Sequence, residues 1–161
     1  MYSLPSSKLI MTHSTHTIEQ TFHLGNTIAK SLHSGDIILL HGEMGSGKTT
    51  LTKGILSHFG IHPDTVVSPT FSLMQQYSVD SDQEIDTIIH VDTYRLRESQ
   101  ELVDIGLTDY LGESRTVCII EWPEKAQELL QEKKLIHIYC VSVDETTREY
   151  RIEGLPIPEV I

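Results

Sequence analysis

The sequence predicts an α/β domain of three layers on a mixed, partly antiparallel sheet, and three observations carry that expectation. The stretch "DIILLHGEMGSGKTTL" (36–51) is an apolar strand pattern that breaks into glycines and then into a helix start. Strand-length apolar runs are interspersed with helical patterns along the rest of the chain, the order that builds layered α/β folds. The last two runs, 135–143 and 147–153, turn through "VDETTRE" and read as an antiparallel hairpin, which rules out a wholly parallel sheet.

Taken in order, the elements are these. The start, "MYSLPSSKLIMTHSTH", has neither the apolar core nor the cleavage site of a secretory signal, and is expected to be polar and mobile. Residues 17–32 carry Ile18, Phe22, Ile28, Ala29 and Leu32 at helical spacing, with Thr17 and Gln20 in capping-box positions and Gly35 beyond the end. A strand at 36–41 feeds the glycines, and a helix at 48–59 presents Leu51, Ile55, Leu56 and Phe59 on one face and stops at Gly60. Strands are expected at about 66–78, 85–92 and 115–121, with the acidic "DSDQEID" (80–86) as a solvated loop. "SQELVDIGLTDYL" and "EKAQELL" read as helices.

A length of 161 residues predicts a single domain spanning 1–161, and 39% hydrophobic with 22% charged residues is an ordinary globular balance. No apolar run approaches the roughly 20 residues of a membrane span. Cys118 and Cys140 lie in apolar runs and read as buried thiols of a reducing cytoplasm. The net charge of -11 sets 12 basic against 23 acidic residues, with no basic cluster larger than Lys133-Lys134. Tight tRNA or other nucleic-acid binding by this chain alone is therefore disfavoured, whereas docking on a more basic protein is compatible with the charge.

Gly42, four residues, then Gly47-Lys48-Thr49 matches G-x-x-x-x-G-K-[ST], a pattern that composition alone produces in roughly one chain in two hundred of this length. The strand before it and the helix after it are what the chemistry requires. Glycines let backbone N–H groups turn toward an anion, and the helix N-terminus adds positive potential. Lys48 can reach the terminal phosphates, and the Thr49 hydroxyl suits magnesium. Such a site needs a carboxylate opposite, where an apolar strand ends. "IIHVD" ends at Asp92 and "VCIIE" at Glu121. By pattern Asp92 is the usual magnesium-side residue and a strand-end glutamate is less common. Pro69 holds Ser68 extended, and Thr70 offers a hydroxyl nearby.

"GEMGSGKTT", "SPTF" (68–71), "HVDTYRL" (90–96) and "IIEWPE" (119–124), in this order within one short domain, resemble the TsaE (YjeE) family. The resemblance runs from the helix near Thr17 to the C-terminal hairpin. It implies a bacterial ATPase of tRNA threonylcarbamoyladenosine biosynthesis working with TsaD and TsaB, with ATP and Mg2+ as cofactors. It implies phosphate contacts from Glu43, Met44, Gly45, Ser46, Gly47, Lys48, Thr49 and Thr50, and magnesium at Thr49 and Glu121. Lys48, Asp92 and Glu121 become the catalytic positions, with Asp92 binding the metal through water or positioning the attacking water. Arg148 becomes a nucleotide contact, and Trp122 a functional position. With Tyr94 and Arg95, Trp122 is expected to form a partner-docking surface beside the phosphates.

Rival readings differ in testable features. A small-molecule kinase commonly closes an Arg-rich lid, but the five arginines here form no cluster. No Asn-Lys-x-Asp guanine element or Leu-Ser-Gly-Gly-Gln-like segment is present. A nucleotide-dependent assembly factor without essential turnover stays open, because a phosphate loop specifies binding and not hydrolysis. His13-x-x-His16 lacks a third ligand at metal spacing.

Overall fold

The computed structural model describes residues 9–80 and 84–159; the first eight residues and the middle of the acidic run lie outside them. Seven strands form one sheet: β1 (Ile10–Thr15), β2 (Ile37–His41), β3 (Met74–Ser78), β4 (Thr87–Asp92), β5 (Thr116–Glu121), β6 (Leu135–Ser142) and β7 (Arg148–Glu153). Their spatial order is β1-β7-β6-β2-β5-β4-β3. The central pairs β6-β2, β2-β5 and β5-β4 are parallel. The outer pairs β1-β7, β7-β6 and β4-β3 are antiparallel, which is the mixed sheet expected.

Alternation along the central strands sorts the core into two faces. Ile38 and Leu40 of β2 pack with Ile88, Val117 and Ile119 against helices α1 (Ile18–Ala29) and α2 (Lys48–His58). Ile37 and Leu39 face the other way, onto Leu96, Leu102, Leu107, Ala126 and Leu130 of the segments between strands. Both faces of the parallel strands are thus covered, which is why these strands read as continuous apolar runs. Among the described residues no helix is long and apolar enough to cross a membrane.

The first layer is tight because two helical glycines meet. A Cβ at Gly54 would lie 2.1 Å from the Phe22 carbonyl oxygen, and one at Gly25 would lie 2.3 Å from that of Leu51, so side chains there would push α1 and α2 apart. Thr17 caps α1, its hydroxyl accepting the Gln20 N–H at 3.1 Å. The Gln20 side chain reaches back to the N–H of His16 at 2.6 Å, one residue before the cap.

Three expectations are corrected, and a fourth, the helical reading of "EKAQELL", is borne out in 3-10 form. The segment before Thr17 is ordered as edge strand β1, which turns Met11, His13 and Thr15 inward beneath an otherwise polar sequence. The strand expected at 66–78 survives only as β3. Its first part is irregular, because Pro69 offers no N–H, Leu73 is left-handed at φ 64°, and the Ser68 and Thr70 hydroxyls bond Asp92 instead of a ladder. "SQELVDIGLTDYL" yields the short helix α3 (Gln100–Asp104) and one 3-10 turn, interrupted by Gly106 at φ 87°. "EKAQELL" lies in a 3-10 stretch, Pro123–Leu130, entered from a left-handed Trp122. Cys118 and Cys140 are buried free thiols, each pushed up to about 12 by desolvation.

Candidate functional site

A cavity of about 750 Å3 opens at the C-terminal ends of the parallel strands, where β2 passes through a glycine loop into α2. Gly47 stands at the helix N-cap at φ 99° with no side-chain cap bond, so the first turn of α2 is left to a ligand. A Cβ at Gly47 would lie 2.2 Å from the Tyr150 hydroxyl. Tyr150 is fully buried and bonds the Thr21 hydroxyl at 3.3 Å, so β7 and α1 support the loop from behind. The Lys48 ammonium donates to the carbonyls of Gly42 and, at 2.9 Å, of Glu43. It also lies 4.5 Å from the centre of the Trp122 ring.

The opposite wall is built by register. Asp92 and Glu121 are Cα partners on parallel neighbours β4 and β5, and alternation puts both on the α2 side of the sheet. Asp92 is 4% exposed and Glu121 2%, so neither is a solvated surface carboxylate. Asp92 Oδ2 accepts from Ser68 Oγ at 2.7 Å and Thr70 Oγ1 at 3.0 Å, while Oδ1 accepts the Tyr94 N–H at 2.9 Å. Glu121 Oε2 pairs with His90 Nε2 at 3.0 Å and with Ser68 Oγ at 3.4 Å. Thr93 ties the two strand ends together through the carbonyls of Glu121 and Trp122.

Of the residues singled out in the sequence, Met44, Gly45, Gly47, Lys48, Thr49 and Thr50 line the cavity from the loop side. Asp92, Tyr94, Arg95, Glu121, Trp122 and Arg148 line it from the other sides. Glu43 and Ser46 do not line it: Glu43 contributes a carbonyl to Lys48, and Ser46 Oγ is buried without a partner among the described residues. Arg148 donates to the Gly45 carbonyl at 3.2 Å and to that of Asp144 at 2.9 Å, joining the loop to the hairpin turn. Tyr94 packs on Trp122 with ring centres 4.9 Å apart, and Arg95 lies over exposed Phe71 at 4.4 Å.

Sequence reasoning missed several contributors. His16 and Ile18 also line the cavity, and exposed Ile18 offers an apolar surface. His90 and Tyr150 stand directly behind the site. The signal for His90 was a single imidazole inside the apolar run "IIHVD", at the head of the motif "HVDTYRL", to which no role was assigned.

The residues present fit a magnesium nucleotide: an uncapped helix N-terminus, a Ser46 hydroxyl buried in the loop without a partner among the described residues, and Thr49 lining the same cavity as two carboxylates. A strand, glycine loop and helix set against carboxylates at neighbouring strand ends defines the class: a P-loop-like α/β domain. A family profile described as "Threonylcarbamoyl adenosine biosynthesis protein TsaE" matches residues 15–150, and the chain belongs to that family, which serves tRNA threonylcarbamoyladenosine biosynthesis. It is 35% identical to the tRNA threonylcarbamoyladenosine biosynthesis protein TsaE of Rickettsia felis over 130 residues, covering 81% of this chain and 72% of that one. With the same-named protein of Haemophilus influenzae it shares 39% over 111 residues, covering 68% of this chain and 66% of that one. The crystal structure of Bacillus subtilis YdiB superposes with a TM-score of 0.69 at 27% identity, covering 94% of this chain and 90% of that one.

Proposed function

We propose that the protein is a magnesium-dependent ATPase that hydrolyses ATP in the cytoplasm within a complex with TsaD and TsaB. The observation that carries this reading is the convergence in one cavity of Lys48 and Thr49, at the start of α2, with the paired strand-end residues Asp92 and Glu121. Thr49 and Glu121 would hold Mg2+, which supplies charge neutralisation across the terminal phosphates. Backbone N–H groups of the loop and first turn of α2 cradle the phosphates. Lys48 exchanges its loop carbonyls for phosphate oxygens, an exchange that keeps its ammonium solvated by acceptors throughout.

Asp92 is bonded on both oxygens by Ser68, Thr70 and the Tyr94 N–H, so its orientation is set before any ligand arrives. That arrangement suits orienting an attacking water better than wrapping a metal ion. Trp122, with the Lys48 ammonium over its ring and Tyr94 tilted against it, shields the phosphates from bulk water. The surface bearing Tyr94, Arg95 and Trp122 forms the rim of this cavity, so a protein docked there would sense its contents. At -11 the isolated chain binds tRNA weakly or not at all at physiological salt.

Phosphate release from ATP and Mg2+, measured with and without the two partner proteins, tests the proposal. A clear partner-dependent rise supports it. Transfer of the phosphoryl group to a metabolite instead of water would replace it with the kinase reading.

A further inference from the structure

His90 is an anomaly in its strand. It stands in β4 between Ile89 and Val91, it is fully buried, and an aliphatic residue would serve the core at least as well. Among the described residues its buried Nδ1 has no hydrogen-bond partner, an unfavourable state that a side chain kept only for packing would avoid. The other ring nitrogen, Nε2, lies 3.0 Å from Glu121 Oε2. A carboxylate only accepts, so the imidazole donates through Nε2.

The placement follows from the sheet. His90 and Asp92 share a face of β4, and Glu121 sits across from Asp92 on β5, so the imidazole lies one step deeper than the carboxylate it bonds. Both hydrogen bonds made by the Glu121 side chain among the described residues, from His90 and Ser68, fall on Oε2. Oε1 carries neither, and the residue lines the cavity. A glutamate has three side-chain torsions, and without a donor behind it the carboxylate would sample orientations that turn neither oxygen to a metal.

We propose that His90 is a positioning residue: by donating from the core to Oε2 it holds the Glu121 carboxylate with Oε1 directed into the cavity for the metal of a bound magnesium nucleotide. This rests on the proposed function above and adds to it the group that sets the metal ligand's geometry. Outer groups that orient a metal ligand commonly contribute 10- to 100-fold in metal affinity.

The test uses two replacements of equal size, His90→Gln, which keeps a donor, and His90→Met, which does not. Binding of a non-hydrolysable ATP analogue to the full chain is followed by the fluorescence of Trp122, the sole tryptophan, as Mg2+ is titrated. His90→Met should raise the Mg2+ concentration at half-effect about tenfold or more, and His90→Gln should stay within about threefold of the wild type. Affinity for the analogue in EDTA should be equal in all three. Equal Mg2+ requirements in the two variants overturn the proposal. Glu121→Gln separates the two levels of the argument. A shift there with none in His90→Met removes the positioning role alone, whereas no shift in Glu121→Gln removes the metal reading and the proposal with it. Should His90→Met fail to fold, 15N-histidine spectra of the wild type decide. The Nε2 proton should persist when magnesium and the analogue are bound, and its loss on loading would overturn the assignment.

Discussion

The phosphate loop and the carboxylate wall face each other across one cavity but are made by opposite means. The loop, 42–49, takes its shape from its own backbone: glycines in conformations other residues avoid, a lysine returning to carbonyls five and six residues earlier, and a helix starting where the loop ends. The wall has no local logic. Apart from the Tyr94 N–H on Oδ1, Asp92 is held by side chains 22 and 24 residues away in sequence, and Glu121 by side chains 31 and 53 away. A locally encoded anion grip is portable between proteins. The wall decides what is done to the anion, and it depends on the register of two strands.

The largest effect should come from breaking the loop side. Lys48→Ala removes the only ammonium in the cavity lining among the described residues, and ATP affinity should fall about 100-fold or more. Calorimetry with ATP and Mg2+ checks this, and near-wild-type affinity would refute the phosphate-grip reading. Next, the two carboxylates should separate by function. Glu121→Gln should raise the Mg2+ requirement roughly 10-fold or more, whereas Asp92→Asn should bind ATP nearly normally and hydrolyse it about 100-fold more slowly. If Asp92→Asn alone changes the metal requirement, the assignment is reversed.

A smaller change sharpens the account of the wall. Ser68→Ala deletes the 2.7 Å bond to Asp92 while Thr70 remains, and should slow hydrolysis about tenfold. In an Asp92→Asn background the same change should add little, since the Asp92 bond at 2.7 Å is the closer of the two carboxylate contacts of Ser68, the other being 3.4 Å to Glu121. Additive losses would show that Ser68 acts elsewhere.

The smallest effect concerns His41, which immediately precedes the loop, bonds His137 at 3.0 Å and stacks on Tyr139. Burial, and then the neighbouring His137, hold its pKa below the ordinary 6.5, outweighing the opposing pull of Glu124 and Glu153. His13 and His58 are lowered by burial as well. The folded state thus takes up protons less readily than the unfolded chain. The contribution of these histidines to stability is full above pH 6.5 and declines as pH falls from there through the folded-state values. Urea midpoints should drop between pH 7 and 5.5, and a flat or rising trend would contradict this linkage.

The loop, its flanking strand and helix, the parallel-plus-hairpin sheet and the two strand-end carboxylates were legible along the chain. Each depends on residues within a turn or a strand of one another. Edge strand β1 was not legible, because its inward residues, Met11, His13 and Thr15, form no apolar pattern and are sheltered only once β7 lies beside them. The irregular 66–73 segment reads as a strand by composition. It becomes a support for Asp92 only because β4 brings that carboxylate within reach of two hydroxyls.

By itself, then, the sequence determined the parts whose geometry is set by backbone torsions and short spacing: the grip on phosphate and the alternation that buries the strands. Only the tertiary structure decided which oxygens of the wall are bonded and by which donors. It also decided that a core histidine stands behind Glu121. Those choices follow from strand register, which is fixed jointly by packing on both faces of the sheet and is not a property of any one segment.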